Sequence, residues 1–195
     1  MPFDYTDAPP PSFDLIPDGT TPTVSIHIRA GGVGEDGMYK RSANGECEML
    51  DLEFTVLDGT YKGRKFWTNL LTAGTTDGQK KMAAGHIGVL KAILDSALGL
   101  KPDDTSAEAR AARNVSPKRF ERMSFIAKIG IEAGGPKKEG GNYPDKNVLA
   151  GVVTPDKKDW RPVEQLPPFN GSGDGAAAPT PSAPAAPVDR PSWAQ

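Results

Sequence analysis

Apolar positions along this chain switch between two periods. TVSIHIRA, residues 23–30, alternates, with Val24, Ile26 and Ile28 on one side and Ser25, His27 and Arg29 on the other. CEMLDLEFTVL, residues 47–57, places Leu50, Leu52, Phe54 and Val56 on one face and Asp51, Glu53 and Thr55 opposite. GRKFWTNLL (residues 63–71), SFIAKIGIEA (124–133) and NVLAGVVT (147–154) read as three more strands. Strict alternation is the signature of a half-buried strand. Between the third and fourth of these, GQKKMAAGHIGVLKAILDSALGL, residues 78–100, changes to a helical spacing. Met82, His86 or Ile87, Leu90, Ile93 or Leu94, and Ala97 or Leu98 form one stripe, and Gly99 and Pro102 end it. Thr105 with Glu108 predicts a capping box opening a second, short helix.

Three strands, a helix and two strands is the element order of an OB-like fold. This is a mainly β, five-stranded Greek-key barrel with the helix between strands 3 and 4. Other five-stranded arrangements share that linear order. Long glycine-rich connections fall between strands 1 and 2 (residues 31–46) and between strands 4 and 5 (GGPKKEGGNYPDK, residues 134–146). These are the loops with which such a barrel grips oligonucleotides or oligosaccharides. Residues 1–22 read as an irregular lead-in with Phe13, Leu15 and Ile16 tucked against the domain, which extends to about residue 168. Residues 169–195 are rich in Gly, Ala and Pro, a composition too poor in apolar surface to offset chain ordering, and predict a disordered tail.

Charge adds one element to the picture. The net charge of −2 conceals three Lys/Arg against eleven Asp/Glu in residues 1–60, but seven against two in residues 61–101 and ten against seven in residues 118–165. The middle of the chain is electropositive, and it opens with FTVLDGTYKGRKFWTNLL, residues 54–71, where cations and aromatics crowd behind a tight turn. A two-residue turn at Asp58-Gly59 would put Lys65 on the buried face. Closing the strands across Gly59–Gly63 instead aligns Val56 with Phe66 and Leu52 with Leu70, leaving Lys65, Trp67 and Asn69 outside.

Catalysis finds little support. Neither glycine run has the Walker spacing, and no GxSxG, HExxH or convincing acid–base pair occurs. One cysteine, Cys47, and two histidines, His27 and His86, predict neither a disulfide, a metal site nor a cofactor. No apolar run approaches the ~20 residues of a membrane span, and the acidic, proline-rich start is unlike a signal peptide, so the expected setting is a cytoplasm.

The run LEFTVLDGTYKGRKFWTNL, with the lead-in FDLIPDG before it and YPDKN after it, resembles a family of small phage-encoded proteins. They occur among replication and recombination genes and are described mostly as uncharacterised or single-stranded-DNA-binding. The resemblance spans roughly residues 13–160 and is sharpest over residues 50–71. It implies an OB-like fold, single-stranded DNA as partner, and a bacterial host cell. Partner-recruiting tails of bacterial single-stranded-DNA-binding proteins end in an acidic tip. This chain ends in VDRPSWAQ, with Trp193 but a single Asp, so docking of replication or recombination proteins through the tail departs from that pattern.

For such a ligand, Trp67 is the first candidate platform for a base, with Tyr61, Tyr39, Tyr143 and Trp160 as further rings. Lys62, Arg64, Lys65, Lys40, Arg41, Lys137, Lys138 and Lys146 are candidate phosphate contacts. The competing reading places Trp67 half in the core, bracing the helix, lets Tyr39 and Tyr143 pin their own loops, and has Asp51 and Glu53 repel phosphate from the face of Trp67. Two other functions stay open: a protein–protein adaptor that uses the same barrel, and a small nuclease or other enzyme.

Overall fold

The alternating segments pair into one antiparallel sheet. The computed structural model describes residues 14–137 and 139–166. The chain runs β1 (Thr23–Ile28), β2 (Lys40–Arg41), β3 (Cys47–Val56), β4 (Lys65–Gly74), α1 (Asp77–Leu98), α2 (Ala107–Arg113), a 3-10 turn (Pro117–Phe120), β5 (Ser124–Glu132) and β6 (Lys146–Val152). β3 is the hub: β4 covers one edge, while β1 and the short β2 follow one another along the other. β1 then pairs β5, and β5 pairs β6, giving six strands in all. The two-residue β2, inside the first glycine-rich connection, escapes period-2 reading because it is too short to alternate.

The predicted inner faces are the core. Val24, Ile26, Ile28, Leu50, Leu52, Phe54 and Val56 are all buried, with Phe66, Leu70, Phe125 and Ile129. Phe54 stacks on Phe66 at 5.0 Å and meets Phe125 edge-on at 5.8 Å, adding directional contact to the area buried.

The expected closed barrel is met only in part. β4 and β6 lie against each other, and the Leu149 N–H donates to Thr68 Oγ1 at 3.2 Å. Among the described residues no backbone ladder joins the two strands, so the sheet is open at this seam.

The hairpin register differs from the expected one by two residues. Phe54 pairs Phe66 and Leu52 pairs Thr68, not Val56 with Phe66 and Leu52 with Leu70. The cause is at the loop exit, where the Val56 carbonyl accepts from Gly63 N (2.8 Å) and the Val56 N–H donates to Arg64 O (2.9 Å). Two residues thus face one, a bulge that Gly63 makes possible at φ 85°. A two-residue slip preserves parity, so the predicted faces survive.

α1 is capped at Thr76, which accepts from Gln79 N while Gln79 Oε1 accepts from Thr76 N. Gly99, left-handed at φ 69°, ends it. Its stripe is buried mainly in the C-terminal half, at Ile93, Leu94 and Ala97, whereas Met82 and Ile87 are exposed. Nearer the start, contact with β4 is polar: Leu71 N donates to His86 Nδ1 at 2.8 Å. α2 is capped by Ser106, not Thr105; the Ser106 hydroxyl accepts from Ala109 N. α2 returns Arg113 to the buried Asp95 (2.6 Å), which Lys91 also meets at 2.7 Å.

Segments at both ends bind the sheet. Ile16 is buried and its backbone is held by the Asn147 side chain, while residues 19–22 bond to Ala127 and Ile129 of β5. After β6 the chain crosses back. Trp160 Nε1 donates to Ser96 O, Arg161 reaches Thr23 and Asp58, and Gln165 brackets Ser124 and Ala97. Phe13, Lys138, Trp193 and the predicted tail lie outside the described residues.

Candidate nucleic-acid interface

Alternation in β4 turns Lys65, Trp67 and Asn69 to the outer face of the sheet. Trp67 is 47% exposed there, so it does not brace the helix core. The residue paired with it across the strand gap is Glu53. Glu53 accepts from Lys65 Nζ at 2.6 Å and from the Trp67 indole N–H at 3.0 Å. These bonds, the one from Lys65 foremost and against the upward push of burial, hold the Glu53 carboxyl below the usual glutamate range. The second carboxylate on this face, Asp51, is buried and meets Lys40 (3.1 Å) and Arg29 (3.7 Å). Both acids that could repel a phosphate chain from Trp67 are therefore neutralised by cations of the same face.

Beside the indole, β4 and the start of β6 enclose a cleft of about 550 Å³. Trp67, Arg64, Lys65 and Lys146 line it with Leu15 and Asp145. Lys146 also faces Glu132 across the β5–β6 pair at 3.2 Å, with both side chains largely exposed. The loop from β5 to β6 stands next to the cleft through Asp145 and Lys146. Its base is pinned where Gly134 passes beneath the Tyr143 carbonyl: a Cβ at Gly134 would lie 1.6 Å from that oxygen. Tyr143 is exposed, and Lys137 Nζ lies 5.4 Å from the centre of its ring. Lys62 is exposed at the hairpin tip.

The other candidates fall elsewhere. Tyr61 packs against the core and lines a separate cleft with Thr20, Pro22 and Arg161. Tyr39 is half-buried, its ring against Gly34, and lines a groove with Leu50, Leu94 and Phe120. Burial, with Asp36 and Glu48 nearby, raises its phenol above the ordinary range. Arg41 pairs Glu48 (2.6 Å) at the far end of β3 from the hairpin loop. Trp160 is half-buried with its N–H on the α1 backbone, a structural pin. The rings therefore do not form one row, because loop packing, which alternation does not encode, claims Tyr39, Tyr61 and Trp160.

Arg29 is a cation of this face that the sequence pattern does not single out. Its outward position in β1 was legible, but its proximity to Asp51 depends on the β1–β3 register. Comparison with family models, curated proteins and solved structures gives no match for this chain.

Proposed function

We propose that this protein binds single-stranded DNA without sequence preference and without catalysis, through an OB-like barrel completed by the approach of β4 and β6. One observation carries the reading: a half-exposed indole, Trp67, shares a cleft with Arg64, Lys65 and Lys146. A flat ring beside several cations matches a ligand offering unstacked bases and one phosphate per nucleotide. Supporting it, the five longer strands keep the neighbours of a five-stranded Greek-key barrel, and Leu149 and Thr68 span its seam. The resemblance of the hairpin sequence adds the setting, replication or recombination proteins of a phage inside its host's cytoplasm.

The test is titration of fluorescent oligo(dT) at several salt concentrations while indole emission is followed. Binding should quench Trp67 and weaken with salt. Trp67→Ala should lose about 1–3 kcal/mol, the contribution of one base–aromatic stack and roughly 5- to 150-fold in affinity. Trp160→Phe should bind as the parent does. Failure of the parent to bind, or equal losses in both variants, would refute the assignment.

A further inference from the structure

A cleft of about 850 Å³ lies on the far side of β1 from Trp67, between that strand and residues 116–122. Its walls carry Ser25, Lys118, Arg119 and Arg122, and its apolar surface includes Met38 and Leu166. Among the described residues, no carboxylate lies within ion-pair distance of the three cations. The acid in this wall, Glu121, is turned to β1: His27 Nδ1 lies 2.9 Å from one oxygen and the Ile28 N–H donates to the other at 2.8 Å. Asp36 accepts from backbone N–H groups, those of Met38 at 3.2 Å and Lys118 at 3.4 Å, and not from the cations. The cleft is therefore cationic with an apolar floor.

Arg122 adds a second, independent mark. It is the one non-glycine among the described residues with a positive φ, 62°, and its N–H is tied to Ile26 O at 2.8 Å. A bulky side chain held in the left-handed region is strained, and such strain concentrates at binding sites.

This cleft also continues the outer face already described. Trp67 pairs Glu53, Glu53 pairs His27, and His27 contacts Glu121 at the cleft wall. Two strand gaps, about 10 Å, separate Trp67 from His27 along that line. The geometry points to a second subsite for the same strand. A nucleotide beyond the one on Trp67 lays its base on the apolar floor and its phosphate against Lys118, Arg119 and Arg122. This rests on the single-stranded-DNA reading and names where the strand goes next.

Two variants test it by anisotropy of long and short labelled oligo(dT) across salt. In Lys118→Ala/Arg119→Ala both replaced side chains are exposed. Arg122→Gly suits the backbone and should keep or raise the melting temperature. Both should retain Trp67 quenching and bind the shortest oligomers as the parent does. They should bind long ones more weakly, with the log–log salt slope shallower by about 0.7 per phosphate contact removed. Unchanged slope and affinity with quenching intact would overturn the subsite and leave the first reading standing. No binding or quenching in the parent would overturn both. Free dTMP bound by the parent and lost in the variants, with oligo(dT) unaffected, would make this a mononucleotide pocket and overturn the continuous path.

Discussion

At the scale of single residues, Glu53 decides how the outer face meets an anion. Its carboxylate holds Lys65 and the indole N–H of Trp67 together, so on the proposed reading a phosphate must displace it from Lys65. Glu53→Gln should tighten oligo(dT) binding several-fold and steepen the log–log salt slope by about 0.7, as one more cation becomes available to phosphate. Because folding lowers the Glu53 pKa, the clamp is complete above the ordinary glutamate range and is released as pH falls through the lowered value. Carboxyl NMR should place the Glu53 titration below that of exposed glutamates, and Lys65→Ala should move it back up. That Lys65 and Trp67 point outward was legible, because period-2 spacing fixes faces even when register slips by two. That Asp51 is buried under Lys40 and Arg29 was not, since a side chain's partners depend on which strand lies next to it.

At the scale of elements, the long strands and α1 were legible because each carries enough periods to reveal itself. The stop of α1 at Gly99 was legible too, but the other junctions were not. The Thr76–Gln79 capping box and the Ser106 cap depend on one hydroxyl each, and the two-residue β2 carries no pattern. Nor was the tie between α1 and α2, in which Asp95 accepts from Lys91 and Arg113 while Arg113 also donates to the carbonyls of Lys101 and Asp104. Asp95→Asn leaves the largely buried Arg113 without its carboxylate, while the half-exposed Lys91 keeps the Pro102 carbonyl, and should cost about 3–5 kcal/mol in urea unfolding. The crossing segment after β6 has its own sensitivity at Asp58. Burial pushes that carboxyl up, but bonds from Thr23 and Arg161 outweigh it and lower the pKa. Its contribution is present above the ordinary aspartate value of ~3.9 and disappears as pH falls through the lowered one. Arg161→Ala should therefore narrow the difference in melting temperature between neutral and acidic buffer.

For the molecule as a whole, the sheet is continuous everywhere except between β4 and β6, where a threonine hydroxyl and a backbone N–H meet. Thr68→Val removes that acceptor and should lower unfolding free energy by about 1 kcal/mol in a urea titration, without disturbing the indole environment. The element order suggested a barrel, but whether its last two strands would zip could not be read, because closure is a property of curvature and no local pattern reports it. The uneven spread of charge proved a better guide: a chain with net charge −2 still presents two cation-lined clefts, one on each side of the central strands. Those central strands have a dynamic consequence. Because β3 is bonded along both edges, by β4 on one and by β1 and β2 on the other, its amides meet solvent deuterium when one of these detaches. Hydrogen exchange at Leu50–Phe54 should then approach the global unfolding limit, while Leu149 and the residues around Arg161 exchange through smaller, independent openings. The proposed binding face would thus rest on the slowest-opening unit, with its movable parts confined to the rim.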